Sequence, residues 1–193
     1  MILEIEKAVK HLKKGGIIIY PSDTIWAMGC DATNQSSINK IYKIKKRDKD
    51  LPFICLMNDF KMVKKYTNLS KSVKNIIELQ KEPTTVIYNN VRNLKTFDNS
   101  IAIRVPKDIF CNKLLNKFNK PIISTSVNIS GKKYPIFYNE ICNSIIEKVD
   151  YIVYEDEFPY SEKSKKIRKL LNMNNYELIG RLTWLDQIYK KRK

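Results

Sequence analysis

Residues 121–131 read Pro-Ile-Ile-Ser-Thr-Ser-Val-Asn-Ile-Ser-Gly, and this stretch says most about the fold of the 193-residue chain. A short apolar strand signal at 121–123 runs directly into a segment with four hydroxyls and one amide, which ends at a glycine. Each of those polar groups offers hydrogen bonds at short reach. The pattern predicts a strand end that holds a phosphate, a carboxylate or a sugar.

Around this stretch, the spacing of apolar residues predicts strands that alternate with helices. Leu3, Val9 and Leu12 repeat at helical spacing, and Gly15-Gly16 ends that first helix. Further helices are predicted over 35–46, 60–66, 70–81, 108–118 and 137–148, and strands over 17–20, 52–57, 84–88, 101–105, 121–124, 151–154, 167–171 and 176–179. Alternation of this kind indicates an α/β fold, and its irregular spacing favours a mixed sheet over a doubly wound one.

Length and composition indicate one domain over 1–193, with a basic tail at 190–193. No apolar run is long enough to span a bilayer, and the N-terminus lacks the features of a secretory signal. The four cysteines, at 30, 55, 111 and 142, show no short pairing, which argues against a zinc site or a disulfide framework. We therefore expect a cytoplasmic protein with no membrane partner. A single histidine, His11, nearly excludes Ser-His-Asp catalysis and histidine-based metal sites.

The formal charge of +16 favours polyanions such as nucleotides or nucleic acid. About half of that excess is attributable to a composition rich in Lys, Asn and Ile. The basic runs at 163–169 and 190–193 do not clearly interleave aromatic side chains, as a specific nucleic-acid module would.

The chain has only five glycines and no glycine-rich phosphate loop, so side chains must supply the donors of any nucleotide site. Arg104 interrupts the apolar strand 101–106 and needs either an anionic partner or a wet cleft. The pair Lys45 and Arg47 ends a helix and precedes a strand, and a basic pair at such a place is usually a solvated cap. The simpler interpretation of residues 22–24, which read Ser-Asp-Thr after Pro21, is a turn closed by local hydrogen bonds.

In their order and separation these segments resemble the YrdC/TsaC family, the threonylcarbamoyl-AMP synthases of tRNA modification, in the short form that has the YrdC-like domain only. The resemblance covers residues 13 to about 181. The family's Pro-Thr-[Asp/Glu]-Thr motif and the residues after it match 20–29, and its Pro-Gly-Pro-x-Thr is reduced to 82–85. Its Lys-x-Arg, Val-Arg-x-Pro and Ser-x-Asn motifs match 45–47, 103–106 and 126–128.

The resemblance implies a twisted mixed sheet, flanked by helices, with a concave basic groove. It implies a nucleotidyltransferase that joins L-threonine, bicarbonate and ATP into threonylcarbamoyl-AMP and releases pyrophosphate. Magnesium is expected, held through the nucleotide and water, with no metal ligands from the protein. A downstream tRNA-modification transferase would take the product, and tRNA or another RNA is a further possible partner.

The same resemblance implies the site residues. The catalytic pair is Lys45 and Arg47. The threonine-binding residues are Ser22, Thr24, Arg104, Ser124 and Ser164. The ATP-binding residues are Lys45, Arg47, Ser100, Ser126, Asn128 and Arg181. Of these, Arg104 would hold the threonine carboxylate in a bidentate fork.

Besides the reduced motif at 82–85, Trp26 and Met28, three positions depart from the family pattern. Ser22 replaces a threonine but keeps the hydroxyl, Ala27 replaces a glycine, and Leu51 stands where many members have a residue that contacts ATP. Two alternatives remain open on the same fold: an RNA-binding or ribosome-maturation factor, and a paralogue that no longer activates threonine.

Overall fold

We describe a computed structural model of the chain over residues 1–22, 25–80, 82–94, 97, 100–135 and 137–153. Its strands are β1 (Ile18–Pro21), β2 (Trp26–Asp31), β3 (Ile54–Leu56), β4 (Thr85–Asn89), β5 (Ser100–Arg104), β6 (Ile122–Ser126) and β7 (Tyr151–Ile152). Its α-helices are α1 (Ile2–Lys13), α2 (Gln35–Lys45), α3 (Phe60–Tyr66), α4 (Lys71–Leu79), α5 (Ile109–Phe118) and α6 (Asn143–Ile146), and a 3₁₀ turn covers Tyr138–Glu140.

The strands of this described part form one mixed sheet in the order β4-β5-β3-β6-β2-β1-β7. The β1–β7 and β3–β5 pairs are parallel, and the other four pairs are antiparallel. The expected α/β fold with a mixed sheet is therefore confirmed. Within the same residues, no helix is both long and apolar enough to cross a membrane.

Two apolar layers cover the two faces of the sheet. Helices α1 and α5 pack on one face, against Ile18, Tyr20 and Ile122. Helices α2 and α3 pack on the other face, where Met28 and Ile123 lie. Alternate residues of a strand point to opposite faces, so the sequence position of a side chain fixes which layer it enters.

Several predicted elements match the structure closely. Helix α3 has the predicted limits, and α2 buries Ile38, Ile41 and Ile44 as its spacing indicated. Both helices begin at a capping side chain, Asn34 for α2 and Asp59 for α3, which accepts a backbone N–H of the first turn.

Other expectations need correction. In α1 the buried face contains Glu4, while Leu3 is 57% exposed. Glu4 is buried because Tyr151 and Lys7 both donate hydrogen bonds to its carboxylate. The single helix predicted over 137–148 is a 3₁₀ turn followed by the short α6. The strands predicted at 167–171 and 176–179, like the basic runs at 163–169 and 190–193, lie outside the described residues.

Strand β2 is an element that the sequence pattern did not predict. All six of its residues are buried, so it shows no alternation of apolar and polar side chains. It also contains Gly29, a residue that weakens strands and therefore argues against one. Gly29 is required here because an added Cβ would lie 2.4 Å from the carbonyl oxygen of Ile123 on the neighbouring β6. The close approach of β2 to β6 explains the glycine.

Candidate functional site

The hydroxyl-rich segment is part of a strand. The sequence predicted that the strand ends where the hydroxyl-rich segment begins. In the structure strand β6 extends through Ser126, so Ser124 and Thr125 lie within the sheet. Ser124 pairs with Ile54 of β3, which also pairs with Ala102 of β5. These three residues therefore form one row across the sheet.

Arg104 and Ser124 share a face of the sheet. Arg104 follows Ala102 by two residues, so both point to the same side as Ser124. Arg104 lies in the row of Ile122, two residues or about 7 Å along the strand direction from the row of Ser124. This face is the one that α1 and α5 cover.

Arg104 is a buried cation, 8% exposed, on β5. Its Nε donates a 2.9 Å hydrogen bond to Oγ1 of Thr85, the residue opposite it on β4. This bond fixes the plane of the guanidinium. In the sequence, Thr85 stands out only as part of the reduced motif at 82–85. The pairing of β4 with β5 is what brings it opposite Arg104, so no local pattern signals this contact.

Lys45 is almost completely buried, at 1% exposure. Its Nζ donates to the carbonyl oxygens of Ser126 and Asn128 at 2.6 and 2.8 Å, and to Oδ1 of Asn128 at 3.1 Å. The backbone N–H of Ser130 in turn donates to the Lys45 carbonyl at 2.8 Å. The interpretation of Lys45 as a solvated helix cap is wrong, because this side chain joins the end of α2 to the turn after β6.

The turn after β6 is further closed by its own side chains. The Ser126 hydroxyl donates to Oδ1 of Asn128 at 2.6 Å, so that oxygen accepts from both Ser126 and Lys45. The structure thus brings Lys45, Ser126 and Asn128 into direct contact, as a shared site requires.

Burial shapes the acid–base behaviour of Lys45. Burial, with a smaller contribution from the nearby Arg47 charge, lowers the pKa of Lys45 from 10.5 to about 7. A lysine with this pKa exchanges its proton near neutral pH, while the other lysines of the described ranges are mostly exposed.

We expect the stability of the protein to report this pKa. Between pH 7 and pH 10 the unfolded chain keeps the Lys45 proton while the folded chain releases it, so the free energy of unfolding should rise with pH. Urea denaturation at several pH values, for the wild type and Lys45→Met, measures the effect as the difference between the two proteins. A difference that stays constant over this range would show that the folded lysine remains charged.

Two predicted site residues contact local backbone. Arg47 donates from Nε to the Leu51 carbonyl at 2.9 Å and from Nη2 to the Pro52 carbonyl at 3.3 Å, and its guanidinium lies over the Phe53 ring. The Ser22 hydroxyl donates to the Ile25 carbonyl at 2.6 Å, which closes the turn between β1 and β2.

The remaining predicted residues divide into two groups. Ser100 begins β5, four residues or about 13 Å along the strand from Arg104, and pairs with Asn89 of β4. Thr24, Ser164 and Arg181 lie outside the described residues.

Tyr20 is a residue of this region whose contact the sequence analysis missed. Its side chain is fully buried, and its hydroxyl donates to Oγ of Ser124 at 2.8 Å. A tyrosine inside an otherwise aliphatic strand signals such a contact, because a buried phenol hydroxyl needs a hydrogen-bond partner.

Comparison with known proteins identifies the family. Residues 10–179 match the family model Sua5_yciO_yrdC, described as "Telomere recombination". A Methanocaldococcus jannaschii protein, provisionally named a threonylcarbamoyl-AMP synthase, is 30% identical over 172 residues, which are 86% of this chain and 82% of that protein. The threonylcarbamoyl-AMP synthase of Vibrio vulnificus is 26% identical over 140 residues, 68% of this chain and 75% of that protein.

Among solved structures, the Sua5 protein of P. abyssi, crystallised with L-threonine, superposes with a TM-score of 0.70 at 21% identity. The match covers 77% of this chain and 45% of the Sua5 chain, and at this identity it supports the fold. The family match over most of the chain, the relative with 30% identity and the shared fold agree with the motifs, and this chain therefore belongs to the Sua5/YciO/YrdC family.

Proposed function

We propose that this protein is a threonylcarbamoyl-AMP synthase that acts in the cytoplasm as a nucleotidyltransferase. Its substrates would be L-threonine, bicarbonate and ATP, and its product would serve the threonylcarbamoyladenosine modification of tRNA. One observation carries the proposal: the buried cation Arg104 and the Ser124 hydroxyl share a sheet face, and the turn held by Lys45 lies two residues beyond Ser124. The names of the relatives from M. jannaschii and V. vulnificus support the same activity.

The chemistry suits such a site because it needs no enzyme nucleophile. The threonine amine and bicarbonate condense to a carbamate with loss of water. A carbamate oxygen then attacks the α-phosphorus of ATP, and the bond to the β-phosphate breaks to release pyrophosphate. Reactions at phosphorus depend chiefly on positioning and on neutralisation of charge. Cations and hydroxyls are therefore the groups required.

We assign the threonine subsite to the face that carries Arg104. The guanidinium would hold the amino-acid carboxylate, and Ser124 would donate to the same ligand. Ser22 would line this subsite from the turn after β1. Thr24 and Ser164 are further members of it by resemblance.

The ATP subsite would lie at the other end of β6. Lys45, Ser126 and Asn128 form its connected part, and Ser100 is a further member by resemblance. Arg47 would have to leave the Leu51 and Pro52 carbonyls to contact phosphate oxygens. Arg181 completes the set by resemblance.

Magnesium is expected to accompany ATP. Among the described residues there is no group of three or more His, Cys, Asp or Glu side chains suited to a metal. As the resemblance implies, the triphosphate and water would hold the ion, which would supply neutralisation of phosphate charge. We also propose that 1–193 is one domain, and that a separate transferase carries the threonylcarbamoyl group to tRNA.

A pyrophosphate assay tests the function. Purified protein with ATP, magnesium and bicarbonate should release pyrophosphate only when L-threonine is added, and the product should appear as threonylcarbamoyl-AMP by mass spectrometry. Omitting bicarbonate is the second control. Release that does not depend on threonine, together with tight, salt-sensitive RNA binding, would instead support the RNA-binding alternative, which no comparison favours.

A further inference from the structure

We propose that Tyr20 is a positioning residue that orients the Ser124 hydroxyl toward the amino-acid substrate. This inference rests on the proposed function and assigns a role to a residue that carries none so far. It begins from the 2.8 Å hydrogen bond between the two hydroxyls, which joins strands that are not adjacent.

The contact spans the width of strand β2. Tyr20 lies on β1 and Ser124 on β6, with β2 between them, so the two strands are about 10 Å apart. Tyr20 also lies in the row of Ser126, two residues along the strands from Ser124. The ring crosses β2 above Gly29: a Cβ added there would lie 3.1 Å from a ring carbon of Tyr20. The bare backbone of Gly29 therefore gives the phenol a path to Ser124.

Burial makes this contact rigid. Tyr20 has no exposed surface, and its ring packs against Phe110 of α5 with a centroid distance of 6.2 Å. Ser124 is only partly buried on the same face, so it keeps some of the exposure that a residue needs in order to meet a ligand. A fixed donor thus meets the hydroxyl of a partly exposed residue.

The hydrogen-bond inventory then fixes what Ser124 can do. A serine hydroxyl has one proton to donate, and its oxygen here accepts the proton of Tyr20. Within the described part of the chain, the bond from Tyr20 is the one hydrogen bond that this hydroxyl makes. Its proton is therefore directed to the ligand, and Ser124 acts as a donor. On L-threonine the matching acceptors are the carboxylate and the side-chain hydroxyl.

The experiment compares Tyr20→Phe, Ser124→Ala and the double variant in the threonine-dependent pyrophosphate assay with the full chain. Tyr20→Phe removes one hydroxyl and keeps the ring over Gly29. We expect it to raise KM for L-threonine about 5- to 10-fold, the loss of one hydrogen bond, with kcat and KM for ATP changed less than 2-fold. The double variant should have the same KM for L-threonine as Ser124→Ala alone, because the Tyr20 hydroxyl acts through Ser124.

The matched control is Tyr151→Phe, which removes another phenol hydroxyl, one that binds Glu4. It should leave both KM values unchanged. If Tyr20→Phe also leaves KM for L-threonine unchanged, the positioning role is wrong. The role is equally wrong if the rise in KM for L-threonine in the double variant is the product of the rises in the two single variants. A wild type without threonine-dependent release would overturn the proposed function itself. Equal rises in both KM values, with a lower melting temperature, would show a merely structural role for Tyr20.

Discussion

Replacing Arg104 with methionine should lower kcat/KM for L-threonine by about 10²- to 10³-fold, the usual cost of removing one partner of a buried charge pair. Methionine keeps much of the apolar stem of this 8% exposed side chain and removes its charge. The carboxylate of the substrate would then enter a buried site with no cation. Steady-state kinetics with varied threonine measure the loss, and circular dichroism shows whether the variant is folded.

Two further variants sharpen the Arg104 prediction. Arg104→Lys restores the charge without the planar fork and should recover only part of the activity. Arg92→Met removes an arginine that instead binds the Lys64 and Thr67 carbonyls at the C-terminal end of α3, and it should leave threonine kinetics unchanged. Full activity in folded Arg104→Met would remove Arg104 from the site.

Replacing Lys45 with methionine should weaken the use of ATP more than the use of threonine. We expect kcat/KM for ATP to fall about 10²-fold, because phosphate loses a cation and the turn that carries Ser126 and Asn128 loses its anchor. The three oxygens that Lys45 now satisfies would lack that partner, so the free energy of unfolding should also fall, by about 1–3 kcal/mol.

The control for Lys45 is Lys43→Met, which removes the same charge from an exposed position of the same helix. It should change neither stability nor kinetics beyond a small electrostatic effect. Steady-state kinetics with varied ATP at fixed threonine, and with varied threonine at fixed ATP, measure the effect on each substrate separately. If Lys45→Met raises KM for threonine as strongly as KM for ATP, the assignment of Lys45 to the ATP subsite is incorrect.

The parts of the fold that were predictable are those in which local signals and burial agree. Helices α2 and α3 have regular apolar spacing and capping residues, so their limits follow from the sequence. Strand β2 lacks such signals because it is buried on both faces between β1 and β6. Whether these residues form a strand depends in part on pairing with β6, which is distant in the chain. In α1, the burial of Glu4 depends on Tyr151, 147 residues later, and no local pattern contains that contact.

In the candidate site, too, some features are visible in the sequence and others arise only from the fold. The hydroxyls of β6 and the two cations Lys45 and Arg104 stand out in the sequence by their residue types. Their partners do not, because the contacts of Arg104 with Thr85 and of Ser124 with Tyr20 arise from strand pairing and strand order. The burial of Lys45 was also unpredictable, since basic residues at helix ends are usually solvated.

The glycine of β2 limits how this protein can diversify. Even without the tyrosine ring above it, a methyl group at position 29 would meet the Ile123 carbonyl, so this position admits no side chain while the two strands keep their spacing. Under the proposed function, a change of amino-acid preference in this part of the site would have to come from the hydroxyl pair itself, Tyr20 and Ser124, and not from position 29. A library built to change the substrate should randomise these two codons together and leave codon 29 unaltered.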